Sequence, residues 1–174
     1  NQCSHHIDLL QWLSGMPKSI IASTIKAHDS KNKVEDTAIS ILKYKDKKKL
    51  GLIEATIATR PKDLEGSISI LGTKGSIVLD GFNASKIKTF KSSNITKSQE
   101  KNILKKIELI NSKQVNGHLN FYSYIIDNNK FIKNIINNYE GISSLKIINA
   151  VYKSSLTSRE VFLNENLNSK LGFN

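Results

Sequence analysis

The sequence predicts an α+β domain in which an antiparallel-rich open β-sheet carries helices on one face. Alternating apolar and polar segments between residues 18 and 90 are joined by short turns, a pattern typical of antiparallel strands. Segments with helical spacing of apolar residues lie mainly at the two ends of the chain. Strands followed by helices favour a sheet with its helices segregated to one side.

The length and the cysteine content limit the class of protein. The chain has 174 residues and a single cysteine, Cys3. Such a length buries roughly 70% of the unfolded surface, so we treat residues 1–174 as one domain. One cysteine cannot form an internal disulfide, and no paired spacing suggests a zinc finger, so we expect a reducing, cytoplasmic setting. No apolar run approaches the ~20 residues that cross a bilayer.

The formal charge of +11 comes almost entirely from lysine, since Arg60 and Arg159 carry the only guanidinium groups. Arginine is the residue that contacts phosphate and guanine bidentately. Lysine, asparagine and isoleucine are abundant throughout, which indicates compositional bias more than nucleic-acid binding. A nucleic-acid binder remains an alternative, and it predicts salt-sensitive binding to duplex DNA. The dense basic run 45–49 is expected to be a solvated hairpin tip.

The first predicted element is a short amphipathic helix over residues 4–14. Ser4 is the expected N-cap, and Gly15 followed by Pro17 ends the helix. The chain begins without Met or a signal peptide, and we expect it to be part of a longer polypeptide.

Strands are predicted next, in two groups. Their approximate bounds are 18–26, 35–45, 53–58, 67–71, 76–79 and 86–90. In the second strand Thr37, Ile39 and Ile41 share one face. We expect the sheet face away from the helices to carry Thr, Ser and Ala with some Leu, which suits a partner subunit as well as water.

The last third of the chain is predicted to be mainly helical. Residues 92–116 are either a helix on a loop excursion or an insertion. Two helices are then expected over about 118–137 and 141–157, and residues 159–163 form a closing strand.

Adjacent histidines on the first helix are the main candidates for chemistry. At a helix start, His5 gains a field that favours its neutral, proton-accepting form, so it could act as a general base. Equally, it could be a satisfied polar residue, with Asp8 only orienting it. His6 points about 100° away from His5, so a shared metal site is disfavoured. The segment 72–75 is interpreted as a β-turn and not as a phosphate loop.

The opening segment, Asn1-Gln-Cys-Ser-His-His-Ile-Asp8, resembles the D/N-x-G-x-H-x-x-D signature of the Gfo/Idh/MocA oxidoreductases. Further stretches are similar to the branch of that family acting on UDP-N-acetylglucosamine-type sugars. They are Val34-Glu-Asp-Thr-Ala38, the segment from Thr59 to Gly75, Gly117-His118, and Ala150-Val-Tyr-Lys-Ser154.

The resemblance implies roles for individual residues. The family's catalytic histidine falls on His5, which would help to remove a hydroxyl proton together with a lysine from the dinucleotide-binding half. Asn1 would hydrogen-bond the substrate, and Arg60 and His118 would contact the substrate or a neighbouring subunit. A salt bridge of Arg60 at the sheet end, with Asp63 or Glu65, is the alternative. Asp8 matches the signature aspartate, whereas Cys3 replaces its usual glycine and could narrow the pocket.

The resemblance also implies an activity for the whole protein. The chain would be the substrate-binding and oligomerisation domain of an NAD(P)-dependent sugar dehydrogenase without a metal, acting on C3 of a UDP-N-acetylhexosamine or its uronate for lipopolysaccharide synthesis. NAD(P) would bind mainly to an N-terminal Rossmann half absent here, since the chain has no GxGxxG, so the chain alone is expected to be inactive. A homo-oligomer would form through the open sheet face, with no nucleic-acid or membrane partner. The alternative is a non-catalytic dimerisation or sugar-binding module.

Overall fold

The computed structural model describes residues 3–28, 34–113, 117–127 and 140–167. These residues pack as two units, each with its own sheet. The first unit contains the described residues up to Leu64 and those from Glu140 onward, and the second contains the described residues from Glu65 to Asp127. None of the described helices is long and apolar enough to pass through a membrane.

The first unit is a four-stranded antiparallel sheet with two helices. Its elements are α1 (Ser4–Ser14), β1 (Ser19–Ile25), β2 (Thr37–Lys43), β3 (Leu50–Thr56), α4 (Gly141–Thr157) and β7 (Val161–Phe162). The strand order is β3-β2-β1-β7, and every neighbouring pair is antiparallel. The lysine-rich run 45–49 lies in the exposed β2–β3 connection, as predicted.

The second unit is an antiparallel meander followed by helices. Its elements are β4 (Ser67–Gly72), β5 (Gly75–Asp80), β6 (Lys86–Ser92), α2 (Lys97–Lys113) and α3 (Gly117–Asp127). The strands lie in the order β4-β5-β6, and α2 packs against β6. The segment predicted as a helix on an excursion or an insertion therefore contains a helix. Of the helix predicted over 118–137, residues 128–137 lie outside the described part of the chain.

The core of the first unit lies between its sheet and the helices α1 and α4. Its largest fully buried apolar side chains come from strands and α4 together, and they are Ile20, Leu42, Ile147 and Val161. α1 contributes Ile7, which is also buried. The described structure thus confirms an α+β architecture with helices on one face of an antiparallel sheet.

The prediction for the open sheet face is wrong. In β2 the small residue Ser40 and Leu42 face the helices and are 1% exposed, whereas Ile39 and Ile41 face outward and are 50% and 40% exposed. Strand alternation defines two faces but does not say which one is covered. Leu42 on the covered face belongs to the same core as Ile20 and Ile147, so burial along β2 follows the face that the helices cover and not the size of the side chain.

Hydroxyl groups of α4 complete the hydrogen bonding of β1 where β7 ends. β7 pairs only with the first two residues of β1. Beyond them, the Ala22 N–H donates to Ser154 Oγ at 2.9 Å, and the Thr24 N–H donates to Ser155 Oγ at 3.0 Å. The helix therefore satisfies backbone groups that a longer strand would otherwise pair.

Glu165 fixes the turn that follows α4. Its carboxylate accepts hydrogen bonds from Arg159 Nη2 at 2.7 Å, from the Phe162 N–H at 3.0 Å and from Lys153 Nζ at 3.1 Å. The Arg159 contact, then the Phe162 amide and Lys153, lower the pKa of Glu165. The turn is thus held by a carboxylate that must remain ionised.

Candidate active site

The helix α1 presents His5 to solvent while its opposite side packs on the core. Ile7 is buried and Leu10 packs against the same core, whereas His5 and Asp8 are exposed. Helical geometry separates these two sides because residues three or four apart share a face. His5 is therefore carried by a helix whose inner side is packed on the core of the first unit.

The start of α1 differs from the prediction in one detail. Cys3, and not Ser4, occupies the N-cap position, and it makes no side-chain capping bond. The end follows the prediction: Gly15 has a φ of 76°, and its N–H donates to the Gln11 carbonyl at 2.7 Å. A positive φ is easily reached by glycine, which explains why the helix ends there.

The His5 ring makes no hydrogen bond or ion pair with the described residues. Asp8, which was expected to orient it, accepts a hydrogen bond from Gln11 Nε2 at 3.3 Å instead. An exposed imidazole on the first turn of a helix can take a proton from a ligand hydroxyl, provided that the ligand lies within about 2.6–3.2 Å. The arrangement is thus open to a substrate from the solvent side.

His6 occupies a different environment from its neighbour. It is half-buried, and its Nε2 atom is buried without a hydrogen-bond partner among the described residues. The adjacent pair therefore splits into one exposed ring and one that faces inward, as the 100° step of a helix requires.

Cys3 is not set up as a nucleophile. The side chain is half-buried against the core, and burial raises the pKa of its thiol. A raised pKa keeps the thiol protonated, whereas reactive cysteines need the thiolate. Among the described residues, no group of three or more His, Cys, Asp or Glu side chains is arranged to hold a metal ion.

Arg60 lies just beyond β3 in an exposed loop. Its Nη1 donates to the carbonyl of Thr59 at 2.7 Å and to that of Ile57 at 3.2 Å. No ion pair with Asp63 or Glu65 forms, so the sheet-end salt bridge is not observed. The guanidinium keeps donors available, but it shares no hydrogen bond with His5.

The described residues do not define the position of the other two predicted substrate-binding side chains, those of Asn1 and His118, relative to His5. Asn1 lies outside the described part of the chain. His118 is the second residue of α3 in the second unit, and its side chain is outside the description. Of the predicted site, the structure therefore defines His5, Asp8, Cys3 and Arg60.

Sequence reasoning missed a charged cluster at the start of β1. Glu160 accepts hydrogen bonds from Lys43 Nζ at 2.7 Å and from the buried Ser19 hydroxyl at 2.5 Å. These contacts, with that of Lys43 the larger, lower the pKa of Glu160. No local pattern signals this cluster, because Ser19 and Glu160 are 141 residues apart.

A second missed pair joins α4 to the segment before β2. The Tyr152 hydroxyl donates to Glu35 Oε1. Burial, followed by the bond and the charge of Glu35, raises the pKa of Tyr152 to about 12. The phenol is therefore neutral at ordinary pH and serves as a donor.

Comparisons with known proteins identify the family and the fold. A family model described as the oxidoreductase family, C-terminal alpha/beta domain, matches residues 1–163. The WlbA dehydrogenase of Bordetella pertussis, solved with NADH and UDP-GlcNAcA, is 28% identical with a TM-score of 0.79, covering 95% of this chain and 47% of that one. The Chromobacterium violaceum WlbA, solved with the same two ligands, is 32% identical with a TM-score of 0.76, covering 93% and 44%.

More distant structures share the fold alone. A levoglucosan dehydrogenase, solved with NADH and levoglucosan, is 14% identical with a TM-score of 0.63 and covers 94% of this chain and 49% of that one. The search among curated protein sequences gave no significant match. This chain spans about half the length of the solved proteins that it matches.

Proposed function

This chain belongs to the Gfo/Idh/MocA oxidoreductase family, whose C-terminal alpha/beta domain it matches over residues 1–163, and we propose that it forms the substrate domain of an NAD(P)-dependent nucleotide-sugar dehydrogenase. The substrate would be a UDP-N-acetylhexosamine or its uronate, oxidised at C3 for surface-polysaccharide synthesis. The observation that carries this proposal is the exposed His5 on the packed helix α1. The similarity to two dehydrogenases solved with UDP-GlcNAcA supports the substrate class.

His5 would act as the general base. Oxidation of a secondary alcohol removes a hydroxyl proton and a hydride from one carbon, so a proton acceptor has to stand beside the hydroxyl. The ring of His5 is exposed and makes no hydrogen bond with the described residues, so its nitrogens are open to a substrate hydroxyl. Asp8, which accepts a hydrogen bond from Gln11 Nε2 at 3.3 Å, would help to orient the start of α1.

Polar side chains elsewhere would hold the sugar nucleotide. Arg60 retains guanidinium donors beyond the two that bind its own loop, and arginine binds diphosphate oxygens in a fixed geometry. We also assign substrate contacts to Asn1 and His118, on the family resemblance. The net charge of +11 would favour an anionic substrate.

The dinucleotide would be bound mainly by another part of the protein. The described strands are antiparallel, and none is followed by a glycine-rich turn that opens a helix, so these residues do not form a βαβ cradle. When bound, the nicotinamide would accept the hydride. We propose that the 174 residues alone are inactive and that the reaction takes place in the cytoplasm, where the free thiol of Cys3 stays reduced.

The open face of the first sheet would be the oligomer interface. Ile21, Ile41 and Leu52 are in register across β1, β2 and β3, and they are 38%, 40% and 62% exposed. Strands lie about 4.8 Å apart, so these side chains form one continuous apolar row. A second copy of the same sheet would cover that row and remove it from water.

The decisive experiment measures sugar-dependent NADH formation by the full-length protein. With UDP-N-acetylglucosaminuronate and related UDP-sugars, replacing His5 with alanine is expected to lower kcat by about 10²–10⁴, because a general base contributes about that much. His28→Ala, an exposed histidine outside α1, is the control and should keep wild-type activity. Full activity in His5→Ala would refute the assignment of the base.

Sedimentation velocity tests the interface. Ile41→Lys places a charge in the apolar row and should convert the oligomer to a smaller species, whereas Leu156→Lys, 76% exposed on α4, should not. Unchanged sedimentation of Ile41→Lys would exclude the open face. Self-association without activity on any UDP-sugar would instead support a dimerisation or sugar-binding module.

A further inference from the structure

We propose that Ser14, Tyr44 and Lys49 form an anchor that sets the orientation of α1 and thereby positions His5. This inference rests on the proposed function for its catalytic consequence. The three residues join the last turn of α1 to the β2–β3 connection. None of them touches His5, so they are positioning residues and not catalytic ones.

The hydroxyl groups provide the first part of the anchor. The Ser14 hydroxyl donates to the Leu10 carbonyl at 2.6 Å, which uses its only proton. The contact of 2.9 Å between Ser14 Oγ and Tyr44 Oη is therefore donated by the tyrosine. This direction ties the end of the helix to residue 44, immediately after β2.

Lys49 provides the second part. Its ammonium group donates to the Ser14 carbonyl, one of the acceptors left unpaired at a helix C-terminus. It also lies 4.3 Å from the centre of the Tyr44 ring, within the range of a cation–π interaction. A cation is favoured at this end of a helix, and here it contacts both partners of the hydroxyl bond.

Gly51 leaves space for this arrangement. A Cβ at position 51 would lie 3.0 Å from Leu42 Cδ1 and 3.5 Å from Tyr44 Cε2. The distance to Leu42 is tight and that to Tyr44 is an ordinary van der Waals contact, so the glycine makes room for Leu42, and the Tyr44 ring lies beside the same position of β3. The anchor thus connects the end of α1 to a tyrosine that lies against β3.

His5 lies far enough from the anchored end of α1 that a small rotation of the helix would displace it. His5 and Ser14 are nine residues apart, or roughly 14 Å at 1.5 Å per residue. A rotation of about 5° at the anchored end would move the other end by roughly 1 Å over that length. Displacements of that size can lower catalytic rates by as much as about 10².

The test uses the full-length protein with Lys49→Met, Lys49→Arg and Tyr44→Phe. Lys47→Met is the matched control, because Lys47 is an exposed lysine on the same connection and outside the anchor. The first measurement is the NMR resonance of the His5 ring, identified by its loss in His5→Gln. The second is kcat and KM with the UDP-sugar. Thermal unfolding checks that each variant is folded.

Lys49→Met is expected to shift the His5 resonance and to lower kcat about tenfold while KM changes less than twofold. Tyr44→Phe should give a smaller change in the same direction, and it replaces Lys49→Met if that variant does not fold. Lys49→Arg keeps the positive charge and should leave the His5 resonance and kcat close to those of the parent protein. An unshifted His5 resonance, or kcat equal in Lys49→Met and Lys47→Met, would overturn the anchor. If the parent protein has no dehydrogenase activity, the proposed function fails, and the resonance alone decides the anchor.

Discussion

Ser154→Ala removes one hydroxyl that links α4 to two other backbone segments. Ser154 is 0% exposed, donates to the Arg159 carbonyl at 2.6 Å and accepts from the Ala22 N–H at 2.9 Å. Alanine fits the same space but offers neither a donor nor an acceptor. The substitution therefore leaves one amide of β1 and one carbonyl after α4 without their partners.

The expected loss of stability follows from these two groups. A buried polar group left unsatisfied costs about 1–3 kcal/mol. The Ala22 amide lies on β1, whereas Arg159 lies in the turn after α4, so we count the cost of the Ala22 amide alone. We therefore expect a loss of about 2 kcal/mol in the free energy of unfolding, which lowers Tm by about 4–8 °C for a chain of this size.

Thermal unfolding followed by circular dichroism measures this loss, and Ser144→Ala is the control. Ser144 also bonds a backbone carbonyl on α4, that of Gly141 at 3.1 Å, but at an exposed site, so its variant should change stability by less than about 0.5 kcal/mol. Hydrogen exchange at the Ala22 amide should accelerate only in Ser154→Ala. Equal Tm values for the two variants would refute the reasoning.

Three further predictions follow from the packing and the ionisation of single residues. Gly75→Ala should destabilise the protein by about 1–3 kcal/mol, because its Cβ would lie 2.3 Å from a backbone oxygen of β6. The control is Gly141→Ala, whose Cβ would meet nothing within 4 Å and which should be neutral or slightly stabilising. Urea titrations measure both changes. Because the pKa of Glu165 is lowered in the folded state, its ionised carboxylate stabilises the fold at pH values above its ordinary pKa of 4.5, and this stabilisation is lost as the pH falls below 4.5. Glu165→Gln should therefore make Tm depend less on pH on the acid side. Because the pKa of Tyr152 is raised to about 12, its neutral phenol contributes stability below pH 10, and this contribution is lost between pH 10 and about 12. Tyr152→Phe should therefore remove the fall of Tm over this pH range. The same fall of Tm in the variant and the parent protein would contradict this prediction.

Local patterns predicted most of the elements. Gly15 ends α1, the spacing of apolar residues identified α4, and short turns between strands implied the antiparallel order that is observed. These features depend on residues close together in sequence, where backbone preference and periodicity act directly.

Features that depend on distant residues were not predictable in the same way. The covered face of β2 was assigned wrongly, because strand alternation separates Ser40 from Ile39 but does not say which of the two faces the helices cover. For the candidate site, the signature in the first eight residues predicted His5. The anchor could not be predicted in this way, because Tyr44 and Lys49 contact Ser14 from 30 and 35 residues further along the chain.

The closure of β1 by α4 also orders the steps of folding during synthesis. The bond from the Ala22 amide to Ser154 joins residues 132 positions apart, so the first unit is completed only when the C-terminal part of the chain has left the ribosome. The meander β4-β5-β6 uses neighbouring segments and can form earlier at a small loop-closure cost. Until then the apolar sides of β1 and β2 lack their helix, which makes a stalled or shortened product of this chain prone to aggregation.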